Sequence, residues 1–268
     1  QISFSGAETY TVSYEEDSTA AYQAEDVYFA EIDGEQKPLD TGRVETYLSE
    51  ISMLELSDYV TYNATDEVLK SYGLDSPELT VTIDYIVENE DGEETNETFV
   101  LNISRDPSGK STEEDGGDEE AVTAYVRVGE SQIVYQILES KYNSLMAASY
   151  NSLRHLEVMS ADFADIYQID ITLENGEYTI TSEQGEDTRS YYYGEEEIDI
   201  SSLQNAIEEL SADSFTEEEP TQKMEICVIV YLENDYFPEV EMEFYRYDGN
   251  YCLALVNGEP VSLVERSD

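Results

Sequence analysis

The chain has 268 residues, 40 % of them hydrophobic, and its 63 Asp and Glu against 12 Lys and Arg give a formal net charge of -51. This charge repels phosphate backbones and anionic lipid headgroups, which excludes nucleic acid as a partner. The 23 Tyr and 7 Phe exceed what a disordered acidic chain carries, so we expect the acidic residues to coat folded domains. No run of about 18 apolar residues occurs, so no membrane span is predicted within this sequence.

The first half begins with strand patterns. Apolar and polar residues alternate over residues 2–14 and again over 26–32, which predicts antiparallel strands. Asp40 or Thr41 is a candidate N-cap, because an apolar stripe at helical spacing follows it as far as about Leu54. The first half is therefore predicted to place a helix after its first strands.

The sequence Tyr-Gly-Leu-Asp-Ser-Pro at residues 72–77 separates this helical region from further strands. Gly73 suits a helix C-cap or a left-handed position, and Pro77 prevents a helix from continuing. Tyr72 and Asp75 are candidate binding residues, since an aromatic ring and an acid on a constrained turn can present a recognition edge. The alternative is structural, with Tyr72 anchoring the turn and Asp75 bonding to the backbone.

A second half repeats this order. We predict a connecting amphipathic helix at about 139–155, then a hairpin at 167–181, a strand at 189–193, a helix at 201–210 and strands up to residue 264. The predicted strand at 189–193 contains a run of three tyrosines that can act as a stacking platform. These form the second candidate binding group: Tyr191, Tyr192 and Tyr193.

Apolar positions in the two halves correspond in order and spacing. Ile2, Phe4, Tyr10 and Val12 correspond to Ile169, Ile171, Tyr178 and Ile180. Val81, Ile83 and Tyr85 are matched to Cys227, Ile229 and Tyr231, and Phe99, Leu101 and Ile103 to Val240, Met242 and Phe244. A repeat of this length indicates two structural units of one kind. We therefore predict an α+β protein of two tandem similar modules, residues 1–145 and 146–268, each an antiparallel β-sheet with a helix packed on one face.

Residue types that commonly carry catalysis are sparse. His155 is the only histidine, which excludes a two-histidine metal site, and no Gly-rich phosphate loop or nucleophile elbow occurs. We predict no catalytic residue, no metal site and no cofactor, and the sequence favours a protein without enzymatic activity. Two alternatives stay open: calcium held by the acidic segments 91–94 and 113–118, and a carboxylate-based, glycosidase-like hydrolase acting outside the cell.

The two cysteines, Cys227 and Cys252, lie in apolar strand patterns and are predicted core residues. In a simple meander they would lie on the first and third strands, so a disulfide would require a different strand order. Whether they are bridged stays open.

The segment Leu69-Lys70-Ser71-Tyr72-Gly73-Leu74-Asp75-Ser76-Pro77-Glu78-Leu79, the duplicated layout and Asn151-Ser152-Leu153-Arg154 resemble a bacterial family, domain of unknown function 4340. The second half departs from the pattern, with residues 216–223 in place of the Tyr-Gly-Leu-Asp-x-Pro segment, and the chain has no Trp. The resemblance implies a cell-envelope or extracellular protein, commonly tethered by an N-terminal membrane segment. Some relatives occur alongside auxiliary parts of ABC transporters linked to gliding motility, and no activity is implied.

From the residues and the resemblance together we expect a non-catalytic, extracytoplasmic binding or scaffolding domain. Its partner would be a protein of the bacterial cell envelope or an extracellular ligand. The chain opens at Gln1 within a strand pattern, so we expect an export signal, lipid anchor or membrane helix to precede it in the full-length protein. The expected location is therefore the cell surface or the extracellular space.

Overall fold

A computed structural model describes residues 1–89, 91–109, 123–185 and 189–266. The chain divides into two compact units. The first contains Gln1–Glu16 and Val27–Arg154, and the second contains Asp17–Asp26 and His155–Asp268. Each unit holds a nine-stranded antiparallel sheet, which confirms the α+β class and the two similar modules.

The sheet of the first unit is formed by β1 (Ile2–Ser5), β2 (Thr9–Tyr14), β3 (Tyr28–Ile32), β4 (Glu35–Pro38), β5 (Tyr59–Thr61), β6 (Leu79–Glu88), β7 (Glu94–Arg105), β8 (Ala124–Val128) and β9 (Val134–Ile137). Its strand order is β4-β3-β2-β1-β6-β7-β8-β9-β5. The helices are α1 (Thr41–Ser52), α2 (Asp66–Ser71), α3 (Glu139–Met146) and α4 (Tyr150–Leu153).

The sheet of the second unit is formed by β10 (Ile166–Leu173), β11 (Gly176–Gln184), β12 (Arg189–Tyr193), β13 (Glu196–Ile198), β14 (Ser214–Phe215), β15 (Met224–Leu232), β16 (Glu239–Arg246), β17 (Tyr251–Val256) and β18 (Glu259–Glu265). Its order, β13-β12-β11-β10-β15-β16-β17-β18-β14, is that of the first sheet. The helix α5 (Ser201–Glu208) corresponds to α1, whereas α2 has no counterpart in the described part of the second unit.

Helix α1 begins where the sequence predicts. The side chain of Asp40 accepts a hydrogen bond from the backbone N–H of Arg43, which satisfies one of the free donors of the first turn. Tyr47 and other apolar residues of α1 share a core cluster with sheet residues such as Phe4, whose ring meets that of Tyr47 edge to face. Burial of this apolar stripe stabilises the helix on the sheet.

The region predicted as one connecting helix contains α3 and α4, separated by a short loop, and both belong to the first unit. Two tyrosine hydroxyls hold this region. Tyr10 donates to the carbonyl of Ala148 at 2.8 Å, and Tyr47 donates to the carbonyl of Leu145 at 2.9 Å. Burial raises the pKa of both phenols, so both stay protonated and able to donate.

Strand pairing supports most of the repeat. Ile2 pairs with Val12 in the first sheet as Ile169 pairs with Ile180 in the second. One predicted match is wrong by one residue, however. Ile2 also pairs with Ile83, and Ile169 pairs with Val230, so Ile83 corresponds to Val230 rather than to Ile229. The sequence Ile-Cys-Val-Ile-Val within β15 is apolar at consecutive positions, so alternation does not fix which residues face the core.

Candidate functional site

The predicted candidates Tyr72 and Asp75 lie after α2 in the first unit. Tyr72 is half-buried and its ring meets that of Tyr125 edge to face at 4.6 Å, whereas Asp75 is exposed. The neighbouring Gly73 has a φ of +72°, the left-handed conformation predicted for it. Its carbonyl accepts a hydrogen bond from the hydroxyl of Ser104 on β7. The turn thus packs against the sheet through Tyr72 and leaves Asp75 to solvent.

The second candidate group lies on β12. Tyr191 and Tyr193 point to the core face of the second sheet, and Tyr192 points to the opposite face, because side chains alternate along a strand. Tyr191 packs against the core cluster near Phe163, and Tyr193 is exposed beside Tyr178. The three rings therefore do not form one platform. The two predicted groups also belong to different units.

His155, the only histidine of the sequence, is buried in the second unit. Its Nε2 atom lies 2.9 Å from Oδ1 of Asp26, and its ring meets that of Tyr22 edge to face. The other Asp26 oxygen accepts the backbone N–H groups of Tyr22 and Gln23. The Asp26 carboxylate thus holds its own turn and His155 together, which is a structural role.

The cysteines lie on opposite faces of the second sheet. Cys227 pairs across from Glu243 on the outer face, whereas Cys252 packs with the core cluster. Both thiols are free, and the strand β16 lies between them. Burial raises the pKa of Cys227 to about 11, so its thiol is protonated and unreactive at neutral pH.

A groove in the first unit lies between α1 and the α3–α4 region. Most of its polar side chains already have partners. Arg43 donates to the carbonyl of Ser152 at 3.1 Å, Glu50 pairs with Lys141 at 2.7 Å, and Asp40 caps α1. These groups stabilise the helices and carry no evident chemistry.

Metal coordination has little support in the described part of the chain. No group of three or more His, Cys, Asp or Glu side chains there is arranged to hold an ion. The acidic segment 113–118 lies outside the described residues, as does residue 90 beside the segment 91–94, so calcium binding stays an open alternative.

A projecting hairpin, here called the arm, is the main exposed feature that distinguishes the first sheet. It consists of residues 85–88 of β6 and 94–98 of β7. Pairing between β1 and β6 ends at Gln1 and Asp84, and β8 pairs with β7 only from Leu101. In the described chain the arm strands therefore pair only with each other.

Three exposed apolar side chains lie consecutively on the arm. Tyr85 is 46 % exposed, Ile86 61 % and Val87 42 %. Their cross-strand partners are polar: Glu97, Asn96 and Thr95. Clusters of exposed apolar residues mark candidate binding surfaces, whereas single ones are ordinary on a protein surface.

The matching hairpin of the second unit has no such extension. There β15 ends at Leu232, two residues beyond Val230, whereas β6 ends at Glu88, five residues beyond the equivalent Ile83. The sequence predicts further strands after residue 77 but does not single out the arm as a site. The signal was present, because three consecutive apolar residues face a polar strand segment with Thr95, Asn96 and Glu97.

The fold and its exposed features define a protein of two tandem α+β modules, the first of which carries the arm. The family model described as Domain of unknown function (DUF4340) matches residues 31–225, and the chain belongs to that family. No curated protein and no solved structure matches the chain significantly. Within the described ranges, none of the helices has the length and apolar character needed to cross a membrane.

Proposed function

We propose that the protein is a non-catalytic binding or scaffolding domain of the bacterial cell envelope that acts outside the cytoplasm. The observation that carries this proposal is the arm, whose consecutive exposed apolar residues suit protein binding. Resemblance to the envelope family supports the location.

The test is a capture experiment from detergent-solubilised envelope, with the protein as bait and a wash at raised salt. A stoichiometric envelope protein that survives the wash is the expected result, because apolar contact and backbone pairing do not weaken with salt as surface charge attraction does. A triple variant that carries Tyr85→Ser, Ile86→Ser and Val87→Ser should abolish capture. Leu138→Ser, which removes an apolar side chain that is 74 % exposed elsewhere on the unit, is the control and should not. If the unaltered protein captures no envelope protein, the proposal is overturned.

One observation favours the alternative, a carboxylate-based hydrolase. Burial and the nearby Asp162 and Glu233 raise the pKa of Asp165, while Arg189 opposes this shift. A carboxyl with a raised pKa can serve as a general acid. Hydrolysis of aryl glycosides that is lost in Asp165→Asn, with the fold retained, would establish this activity in place of the binding function.

A further inference from the structure

The outer face of the first sheet, opposite its core cluster, carries a group of hydroxyl side chains on β2, β1 and β6, here called the hydroxyl grid. Its members are Ser3, Ser5, Thr9, Thr11, Thr80 and Thr82. We infer that the hydroxyl grid binds an extended, uncharged polysaccharide. The grid and the arm share no residue, so this inference goes beyond the proposed function.

Strand pairing fixes the geometry of the hydroxyl grid. The residues between its members along each strand belong to the core cluster, so the six side chains share the opposite face. They fall into two rows that cross the three strands: Thr11–Ser3–Thr82 and Thr9–Ser5–Thr80. Neighbouring strands lie about 4.8 Å apart, and the two rows are separated by about 6.7 Å along the strands. The hydroxyls therefore form a regular lattice.

The hydroxyls of the grid are open to a ligand. None of the six residues is buried. The hydroxyl of Thr80 donates to the side-chain oxygen of Asn102 at 3.0 Å, and the other five hydroxyls make no hydrogen bond to a described residue. Each hydroxyl can donate and accept, as the hydroxyls of a sugar do. The threonine methyl groups also offer apolar contact to the C–H groups of a sugar ring.

The second sheet shows that the fold does not require hydroxyls at these positions. Its equivalent residues, defined by the same strand pairs, are Asp170, Thr172, Glu177, Thr179, Cys227 and Ile229. Two of these are acidic, one is a thiol and one is aliphatic. The strand propensity of Thr acts in both sheets alike, so it does not account for the difference. The hydroxyl grid is a property of the first unit alone.

Charge favours a neutral ligand on this face. The chain has a net charge of -51, yet the grid contains no charged side chain. Carboxylates lie at its margin, because Glu31 pairs with Thr11 and Asp84 lies two residues beyond Thr82 on β6. These carboxylates repel an anionic glycan or a second copy of the chain, whereas they can accept hydrogen bonds from sugar hydroxyls.

The spacing of the grid favours an extended glycan. One sugar unit of an extended β-linked chain is close in length to the strand spacing of about 4.8 Å, so successive units can meet successive strands of a row. A coiled α-linked chain does not present its units in this way. The occupant is therefore a neutral β-linked glycan that lies across the strands.

The experiment is isothermal titration calorimetry of the whole chain with a cellulose-derived, β-linked oligomer of about six glucose units, which is long enough to cross the three strands. A double variant, Thr11→Val with Thr82→Val, removes two hydroxyls of one row and keeps the shape of both side chains. The matched control, Thr179→Val with Thr181→Val, makes the same change on the exposed outer face of β11 in the second unit. Thermal unfolding checks that both double variants fold.

The unaltered protein should bind the β-linked oligomer with a Kd of about 1 mM or lower, and the Thr11 and Thr82 double variant should bind about tenfold more weakly. The control should stay within about twofold of the unaltered protein. Absence of binding up to about 10 mM oligomer, equal losses in both double variants, or equal binding of a starch-derived, α-linked oligomer of the same length would overturn the inference.

The proposed function and this inference fail separately. The triple variant of the arm should bind the β-linked oligomer as the unaltered protein does, and the Thr11 and Thr82 double variant should still capture an envelope protein. Loss of capture together with absence of glycan binding in that double variant, when the unaltered protein does not bind the oligomer either, would assign the face to a protein partner and overturn the inference.

Discussion

Two buried serines show how the environment of a single hydroxyl decides its effect on stability. In the first unit the hydroxyl of Ser104 donates to the carbonyl of Gly73 at 2.9 Å and accepts the backbone N–H of Glu78 at 3.1 Å. In the second unit Ser262 is fully buried, and its hydroxyl has no hydrogen-bond partner among the described residues. Removing a hydroxyl that makes hydrogen bonds leaves its partners unpaired. Removing a buried hydroxyl that has no partner removes only its desolvation penalty.

We predict opposite effects for the two alanine variants. Ser104→Ala should lower the free energy of unfolding by about 1 to 3 kcal/mol, and Ser262→Ala should leave it unchanged or raise it by about 1 kcal/mol. Urea unfolding followed by circular dichroism measures both. A loss for Ser262→Ala as large as that for Ser104→Ala would show that the Ser262 hydroxyl has a partner after all.

Acid stability should depend on Glu157, which lies beside the buried histidine. The His155 imidazole lowers the pKa of Glu157 below its ordinary value of 4.5, and its Nδ1 atom lies 3.8 Å from Oε2 of Glu157. A folded-state pKa below the unfolded one stabilises the fold at pH values above 4.5, and this contribution is lost as the pH falls through the folded value. Glu157→Gln should therefore show a smaller fall in melting temperature between neutral pH and about pH 3 than the unaltered protein. Parallel melting curves for the two proteins across this range would contradict the prediction.

At the scale of elements, the sequence predicts the hairpins, α1 and the duplication well, because alternation, caps and turn residues are local signals. Asp40 and Gly73 occupy the cap and the left-handed position that their residue types favour. The predicted register of β15 differs from the observed one by one residue, because both faces of this strand are apolar. Which strands extend beyond their neighbours depends on pairing between distant parts of the chain, so the sequence did not single out the arm.

The candidate binding residues, too, could be predicted only in part, because their surroundings depend on distant parts of the chain. The sequence identifies aromatic residues but not their exposure, which depends on the packed sheet. Tyr72 and Tyr191 pack against core clusters, whereas Tyr85 and Tyr193 are exposed. Asp26 and His155 are far apart in the sequence, and only the fold shows that they pair.

The family's turn segment makes a specific prediction at Gly73. A Cβ atom there would lie 3.2 Å from side-chain atoms of both Ser104 and Pro107, in addition to the strain of a positive φ. Gly34 also has a positive φ, of +84°, but has no neighbouring atom within 4 Å of such a Cβ. Gly34→Ala should cost about 1 kcal/mol, and Gly73→Ala about 1 kcal/mol or more beyond that. Urea unfolding of both variants checks this, and equal losses would contradict the predicted crowding.

At the scale of the whole molecule, the chain passes between the two units three times. It leaves the first unit after Glu16, returns at Val27 and leaves again after Arg154. The segment Asp17–Asp26 is therefore part of the second unit although the residues on either side of it belong to the first. Such an interleaved chain makes the second unit depend on residues from the first half of the sequence, so residues 155–268 alone would lack part of their own structure.

Asp26 anchors this segment, and removing the Asp26 carboxylate should free the segment. Asp26→Ala leaves His155 and two backbone N–H groups without their carboxylate, and breaking a buried pair of this kind costs about 3 to 5 kcal/mol. We expect Asp26→Ala to make residues 17–26 sensitive to limited proteolysis, read out by mass spectrometry of the fragments. Asp162→Ala, which removes a carboxylate with a single described backbone hydrogen bond, is the control and should leave that segment protected. Equal protection of the segment in both variants would mean that contacts such as the one between Tyr22 and Phe237 suffice to hold it, without the buried Asp26–His155 pair.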